Sequence, residues 1–156
     1  MAVPNCEIDK TDLQILSILL QDAKVPYTKI GEMLFVSPGT VHVRMKKMLD
    51  GGIIKKYQIS IDHSLLGYDV TAFIGIFLKE NSLYDMVLEN LRNIPEVVEV
   101  NYTTGGYSMF VKLICRDTNH LKEVLHDKLQ TIKGIQRTET FISLEESINR
   151  PLSIDL

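Results

Sequence analysis

The chain is 156 residues long, with 45% hydrophobic and 24% charged residues and a net charge of −3. That size suits one ordinary domain or two small ones, large enough to fold without staples, and the composition excludes a collagen-like, disordered or low-complexity chain. The longest apolar run, 70–78, is broken by Thr71 and Gly75 and falls far short of the roughly 18 residues a membrane span needs.

The N-terminus has no basic stretch leading into an apolar core, so no secretory signal is expected. Cys6 and Cys115 form neither a CxxC motif nor a disulfide framework, and reduced thiols in a cytoplasm are the simple expectation. From Asp9 to Asp22 the spacing of Leu13, Leu16, Leu19 and Leu20 predicts a helix, capped by Asp9 or Thr11. Tyr27 to Phe35 reads as a short second helix. Three residues later comes the clearest start signal in the chain: Ser37 as N-cap and Pro38 at the first helical position. Val41, Met45 and Met48 form the apolar stripe of this third helix, and Gly51-Gly52 stops it. Ile53 to Asp62 reads as a strand or short hairpin, and 63–69 as a linker.

The second half repeats itself. Val70–Lys79 is a strand, Ser82–Asn93 a helix capped by Ser82, Val97–Thr103 a strand, Tyr107–Cys115 a strand, Asp117 to about Leu129 a helix, and Ile135–Leu144 the last strand. At an offset of 38, Leu83 maps on Leu121, Val87 on Leu125, Leu91 on Leu129, Ile94 on Ile132 and Val97 on Ile135. Five apolar matches in one register predict a duplicated βαβ unit, the ferredoxin-like βαββαβ arrangement. The expected fold class is α+β, with domains at 1–62 and 70–156.

Charge is unevenly spread. Residues 1–62 carry eight basic and seven acidic residues, whereas 63–156 carry nine and thirteen. Five basic residues fall within 37–56 against the single acid Asp50, which points to an anionic partner for that segment alone. Three helices, a ribbon and a basic third helix predict a winged helix-turn-helix with that helix in the major groove of double-stranded DNA. Opposite its buried stripe lie Gly39, Val43, Lys46 and Lys47, with Thr40 toward that face and His42 and Arg44 on its flanks. Ser37, Gly39 and Thr40 open the helix where it would meet the duplex. Thr40 and His42 suit bases or phosphates, and Val43 suits a thymine methyl. Arg44, Lys46 and Lys47 suit phosphates, with Lys55 and Lys56 on the ribbon reaching the flanking backbone.

The second half holds no catalytic constellation. His63, His120 and His126 lack metal-ligand spacing, Ser108 lacks a GxSxG context, and a strand rather than a helix follows Gly105-Gly106. Neither an enzyme nor a metal or cofactor site is expected. Thr103, Thr104, Gly105, Gly106, Tyr107 and Ser108 gather hydroxyls and two glycines around one tight hairpin. A plain turn and a small-ligand site both fit these residues. Thr138 and Thr140 on the last strand are compatible with the second.

The chain resembles the Lrp/AsnC, or feast/famine, transcriptional regulators along nearly its whole length. The likeness is carried by DKTDLQILSILL (9–20), VSPGTVHVR (36–44), GII (52–54), LGYDV (66–70), FIGI (73–76), YTTGGYS (102–108) and QTIKGIQRTET (130–140). SPGTVHVR, the YTTGGYS hairpin and the TET strand resemble the asparagine-responsive AsnC branch in particular. The resemblance implies a DNA-binding regulator whose C-terminal domain binds an amino acid. It implies dimers, commonly four to a ring as an octamer, with the effector held between dimers. It implicates Thr103 to Ser108 together with Thr138 and Thr140 as effector ligands, and asparagine as the effector. Many members read Gly-Asp-Tyr-Asp at the hairpin; this chain reads Gly105-Gly106-Tyr107-Ser108, offering neutral hydrogen bonds where they offer carboxylates. Two other functions share these features: a haem-pathway decarboxylase on the same two domains, and an architectural protein that coats DNA with little sequence preference.

Overall fold

The computed structural model describes residues 7–154, so Cys6 lies outside the described residues. The chain divides into two units, one reaching to Ser60 and taking in the segment from Ile148, the other running from Ile61 to Ser147. The last segment, expected with the C-terminal domain, groups with the first unit.

The first unit is built on α1 (Lys10–Gln21), α2 (Tyr27–Leu34) and α3 (Pro38–Asp50). Asp9 caps α1: its carboxylate accepts from the Asp12 N–H, and the Asp12 carboxylate accepts from the Asp9 N–H. This reciprocal box satisfies two donors that the helix start would otherwise leave orphaned. Ser37 caps α3 through the Thr40 N–H, with Pro38 at the first position. Ile15 of α1, Ile30 of α2 and the α3 stripe of Val41, Met45 and Met48 form the core. Gly31 is a steric necessity, because a β-carbon there would stand 2.6 Å from the Val36 carbonyl oxygen. Phe35 closes α2 in the left-handed region at φ 56°, and its side chain is 96% exposed.

The strand or hairpin expected over 53–62 does not form. Gly52, at φ 73°, turns the chain so that the Ile54 N–H reaches the Met48 carbonyl and Ile54 packs on the core. Beyond it, among the described residues, no strand pairs with 55–62, so its backbone has no ladder to join. This wing is an extended segment with Tyr57, Ile59 and Ile61 exposed.

The second unit runs β1 (Val70–Leu78), α4 (Tyr84–Arg92), β2 (Val97–Tyr102), β3 (Met109–Cys115), α5 (Thr118–Glu123) and β4 (Ile135–Ile142). Its sheet order is β2-β3-β1-β4 with every neighbour antiparallel, the ferredoxin-like arrangement. Ser82 does not cap α4. A 3-10 turn over Asn81–Leu83 precedes the helix, and the Ser82 hydroxyl donates to Glu80 instead. Asp117 does cap α5, through the His120 N–H.

The internal repeat survives in the packing. Leu91 and Leu129 are both fully buried, and Ile94 and Ile132 are buried to the same degree, at 7% exposure each. Two pairs differ: Leu83 is half-buried where Leu121 is buried, and Val87 is buried where Leu125 is half-buried. A π-helical turn over Val124–Leu129 continues α5 and rotates its face, so Val124 takes the fully buried place and Leu125 packs at the margin.

Period-two alternation sorts the sheet residues onto two faces. Ala72, Ile74, Ile76 and Leu78 of β1, with Met109, Val111, Leu113 and Cys115 of β3, make the face whose residues form the core with the helices. Their register partners on β4, Thr138 and Thr140, share that face. The opposite face carries Phe73, Gly75, Phe77, Phe110, Lys112, Arg137, Glu139 and Phe141. Among the described residues no helix is long and apolar enough to cross a membrane.

Candidate nucleic-acid interface and effector site

The outer face of α3 is assembled as its periodicity requires. His42, Val43, Lys46 and Lys47 are exposed, Gly39 is exposed with the Ser37 hydroxyl 3.7 Å from where a β-carbon would stand, and Thr40 is half-buried. Val43 is 66% exposed, an unusual position for an aliphatic side chain on a surface helix. The Ser37 hydroxyl accepts from the Thr40 N–H and shares a hydrogen bond with the Thr40 hydroxyl, so both are engaged in the cap. Lys55 and Lys56 stand exposed on the extended wing.

Arg44 and Lys47 are anchored inside the unit. Arg44 Nη1 donates to Asp9 Oδ2 at 2.6 Å and to Asp12 Oδ1 at 2.9 Å. Lys47 Nζ donates to Asp12 Oδ2 at 2.6 Å and to the Glu7 carbonyl at 2.7 Å. Asp12 is completely buried. Burial pushes its carboxyl up, but the bonds from Lys47 and Arg44 outweigh this and hold it below its ordinary value. Asp9 is lowered chiefly by its bond from Arg44. Sequence reasoning offered Asp9 only as a possible cap of α1 and assigned no role to Asp12. The signal for more was there: carboxylates three residues apart on one helix and cations three apart on another can meet as a four-membered set.

In the second unit the hairpin of 103–108 is pinned at its ends. The Thr103 N–H donates to the Ser108 carbonyl, and the Thr103 hydroxyl donates to the Tyr107 carbonyl at 2.7 Å. The Ser108 N–H donates to the Ile76 carbonyl, and its hydroxyl accepts from the Leu78 N–H at 3.4 Å, so Ser108 is turned toward β1. Between these ends, the amides of Thr104, Gly105 and Gly106 find no hydrogen-bond partner among the described residues. Gly105 sits at φ 142°, which side chains rarely adopt, and Gly106 has open space where a β-carbon would stand.

Tyr107 leaves the hairpin along the open face of the sheet. Its hydroxyl donates to Glu139 Oε2 at 2.7 Å, and Arg137 closes on the other oxygen of the same carboxylate. These bonds, the tyrosine's first, lower the Glu139 carboxyl, while the Tyr107 phenol is raised by the same carboxylate. Phe77, Phe110 and Phe141 surround the ring with centroids 5.1, 5.9 and 6.2 Å away. Thr138 and Thr140 lie on the other face, so one chain does not bring them together with Tyr107. Among the described residues, no group of histidine, cysteine and carboxylate side chains has the makings of a metal site.

A helix-turn-helix unit with a presented third helix, joined in one chain to a βαββαβ unit, defines a transcriptional regulator with a separate sensing domain. Residues 8–55 match the winged helix-turn-helix DNA-binding family, and residues 71–152 match the Lrp/AsnC ligand binding domain. The chain is 46% identical over 145 residues to the regulatory protein AsnC of Haemophilus influenzae, covering 93% of this chain and 97% of that one. It is 45% identical over 148 residues to the Escherichia coli K12 protein of the same name, covering 95% and 97%. The solved structure of E. coli AsnC superposes with a TM-score of 0.89 at 43% identity, over 95% of this chain and 99% of that one. A Neisseria meningitidis transcriptional regulator in complex with L-Met shares the fold, with a TM-score of 0.87 at 23% identity over 96% and 97% of the two chains. The chain belongs to the Lrp/AsnC family: it is a DNA-binding transcriptional regulator whose C-terminal domain takes an amino-acid effector.

Proposed function

We propose that this regulator acts in the cytoplasm, without catalytic activity, and switches a sequence-specific DNA complex in response to asparagine. The observation that carries the effector reading is the hairpin: hydrogen bonds hold both its ends, and three consecutive amides at Thr104, Gly105 and Gly106 are left to bind an anion. A cluster of unpaired backbone N–H groups is a receptor for a carboxylate. The Thr104 hydroxyl adds a neutral partner for an amide, while Ser108 contributes by holding the hairpin on β1. Thr138 and Thr140 join such a site only from another copy of the chain, in keeping with a site between dimers.

Self-association follows from the open sheet face. Helices cover one face, while the other carries half-buried Phe73, Phe77 and Phe110 beside exposed Phe141, a band which a second copy covers by apposing the same face. We place the DNA contacts on α3 and the wing, through Gly39, Thr40, His42, Val43, Lys46, Lys55 and Lys56, with Ser37 as cap and Arg44 and Lys47 held at the flank. The effector then favours one quaternary arrangement, and DNA affinity changes by the same factor as effector affinity.

A thermal-shift panel of the twenty amino acids tests this. A ligand at about a hundred times its Kd stabilises the native state by roughly 2.7 kcal/mol. A shift with asparagine supports the reading, a shift with a different amino acid alone replaces the effector, and no shift with any of them removes the sensor function.

A further inference from the structure

The ion cluster between α1 and α3 has a consequence for how the protein chooses DNA. Two cations of α3, Arg44 and Lys47, meet two carboxylates of α1, Asp9 and Asp12, so the set is electrically balanced. Asp12 is buried, but through the other three side chains the set reaches the surface. Asp9, Gly39, Thr40, Val43, Arg44 and Lys47 line one shallow cleft on the surface, beside the residues at the start of α3. The Asp9 side chain is 54% exposed there. The Asp9 carboxylate in this place repels a phosphate and, with Asp12 behind it, competes with the phosphate for the cations.

We propose that Asp9 and Asp12 act as an internal counter-charge that sets the specificity of DNA binding: they occupy Arg44 and Lys47 and so weaken attachment to duplexes of any sequence. Non-specific affinity is almost wholly phosphate neutralisation, whereas base contacts discriminate between sequences. Holding two cations against carboxylates therefore lowers the non-specific term more than the specific one. The specific complex keeps the base-edge contacts that Thr40, His42 and Val43 offer. The same bonds fix the side of α3 that faces α1, so the counter-charge also steadies the helix. This inference rests on α3 being the element that meets DNA.

The test uses the full-length protein and two duplexes. One is a random-sequence duplex, and the other is the duplex that the wild-type protein enriches most strongly from a random library. Affinities are measured across a potassium chloride series for wild type, Asp9→Asn, Asp12→Asn and Lys46→Gln. Asparagine keeps the capping bonds of both positions, since its amide oxygen accepts as the carboxylate did. Asp9→Asn, at the exposed member, guards against misfolding of Asp12→Asn.

The expected result is that each Asp→Asn variant binds the random duplex several-fold more tightly. Its log affinity falls more steeply with log salt by about one unit per protomer that gains a phosphate contact. The enriched duplex changes less, so the ratio between the two duplexes shrinks. Adding Arg44→Gln to Asp9→Asn abolishes the gain. Unchanged or weaker binding of the random duplex by Asp9→Asn, with the same salt slope, overturns the proposal. If Lys46→Gln leaves both affinities and slopes unchanged, the assignment of α3 as the DNA-facing element fails, and the proposal with it. If Lys46→Gln weakens binding and Asp9→Asn does nothing, only the counter-charge falls.

Discussion

The ring of Tyr107 lies across Gly75: its Cδ1 and Cε1 are each 2.5 Å from the point where a β-carbon on Gly75 would stand. A glycine in the middle of an inner strand is costly in entropy and leaves no side chain to pack. Here the missing side chain is the seat of another residue. The ring rests on the backbone of β1, which lets its hydroxyl reach Glu139 on β4, the far neighbour of that strand. One end of the 103–108 hairpin is thereby fastened across the sheet.

Gly75→Ala therefore pushes on a ring that Phe77, Phe110 and Phe141 already enclose. Over-packing of this kind costs about 1–3 kcal/mol, and the displaced ring loses its bond to Glu139. The variant is expected to melt earlier, with an altered near-ultraviolet tyrosine signal and a weaker thermal shift with effector. Tyr107→Phe keeps the ring seated and removes only the hydroxyl, so it should lose less stability than Gly75→Ala. Equal melting temperatures for Gly75→Ala and wild type would show that the ring moves without cost.

Phe35 makes the opposite prediction, a gain. An L-residue in the left-handed region costs roughly 1–2 kcal/mol, and the side chain at 96% exposure returns nothing by burial. Phe35→Gly should stabilise the first unit by about 1 kcal/mol, part of the relief being offset by glycine's larger unfolded entropy. Chemical denaturation followed through far-ultraviolet dichroism reads this directly. A loss of stability in Phe35→Gly would mean that the ring is packed in solution.

Gly31 has no such latitude. Its neighbour is the Val36 backbone carbonyl, which cannot rotate away as a side chain does. Gly31→Ala must separate α2 from the turn that leads into α3. The expected outcome is a loss of 1–3 kcal/mol or so together with weakened binding to the enriched duplex. Normal binding by a destabilised variant would separate the turn from the reading of DNA.

Acid should act on the first unit through Asp12. Its folded-state pKa lies below the ordinary aspartate value of 3.8, so the unfolded chain binds more protons over that interval and stability rises with pH there. The contribution is complete above about pH 4–5 and is lost as pH falls through the lowered folded value. Asp9 adds in the same direction. Melting between pH 3 and 7 should therefore show a steep acid limb that flattens in Asp12→Asn. The same limb in both proteins would mean that other carboxylates govern acid unfolding. Glu96 is the natural alternative: it is lowered by Lys128 and His120 against its own burial.

Much of this architecture was written locally. The capped start at Ser37-Pro38, the buried spacing of Val41, Met45 and Met48, and the repeat at offset 38 each follow from a period or a cap, which a single segment displays. The wing, the start of α4 and the π-turn depend on what lies beside them. Ile53 to Asp62 alternates like a strand, but pairing needs a neighbour, which the single chain does not supply. Ser82 has the chemistry of a cap, yet Glu80 takes its hydroxyl. The partition of the candidate site was likewise hidden. Tyr107 and Thr138 are close on paper, but the β1–β4 register that sends them to opposite faces exists only in the folded sheet. Arg44 and Lys47 read as phosphate contacts because charge is legible, whereas the carboxylates 32 to 35 residues away that hold them are a tertiary fact.

The open sheet face gives the last prediction. Phe73 stacks on Phe110 with centroids 5.8 Å apart and planes within 10°, and Phe141 lies 6.5 Å from Phe110. Arg137 lies flat on the Phe77 ring at 3.5 Å, and Lys112 reaches over Phe73. This is an apolar band with charged edges, the layout of a protein–protein contact with a polar rim. A second copy meeting it would bury Phe141, now 46% exposed. Phe141→Asp puts a charge at that contact while leaving the helix-side core untouched. Light scattering should then show the wild type as a dimer or a multiple of dimers and the variant shifted toward monomer. The variant's thermal shift with effector should also weaken, because the proposed site draws Thr138 and Thr140 from another copy. A variant that keeps its mass would move the self-contact to another surface. One that loses its mass yet responds fully to effector would confine the effector site to a single chain.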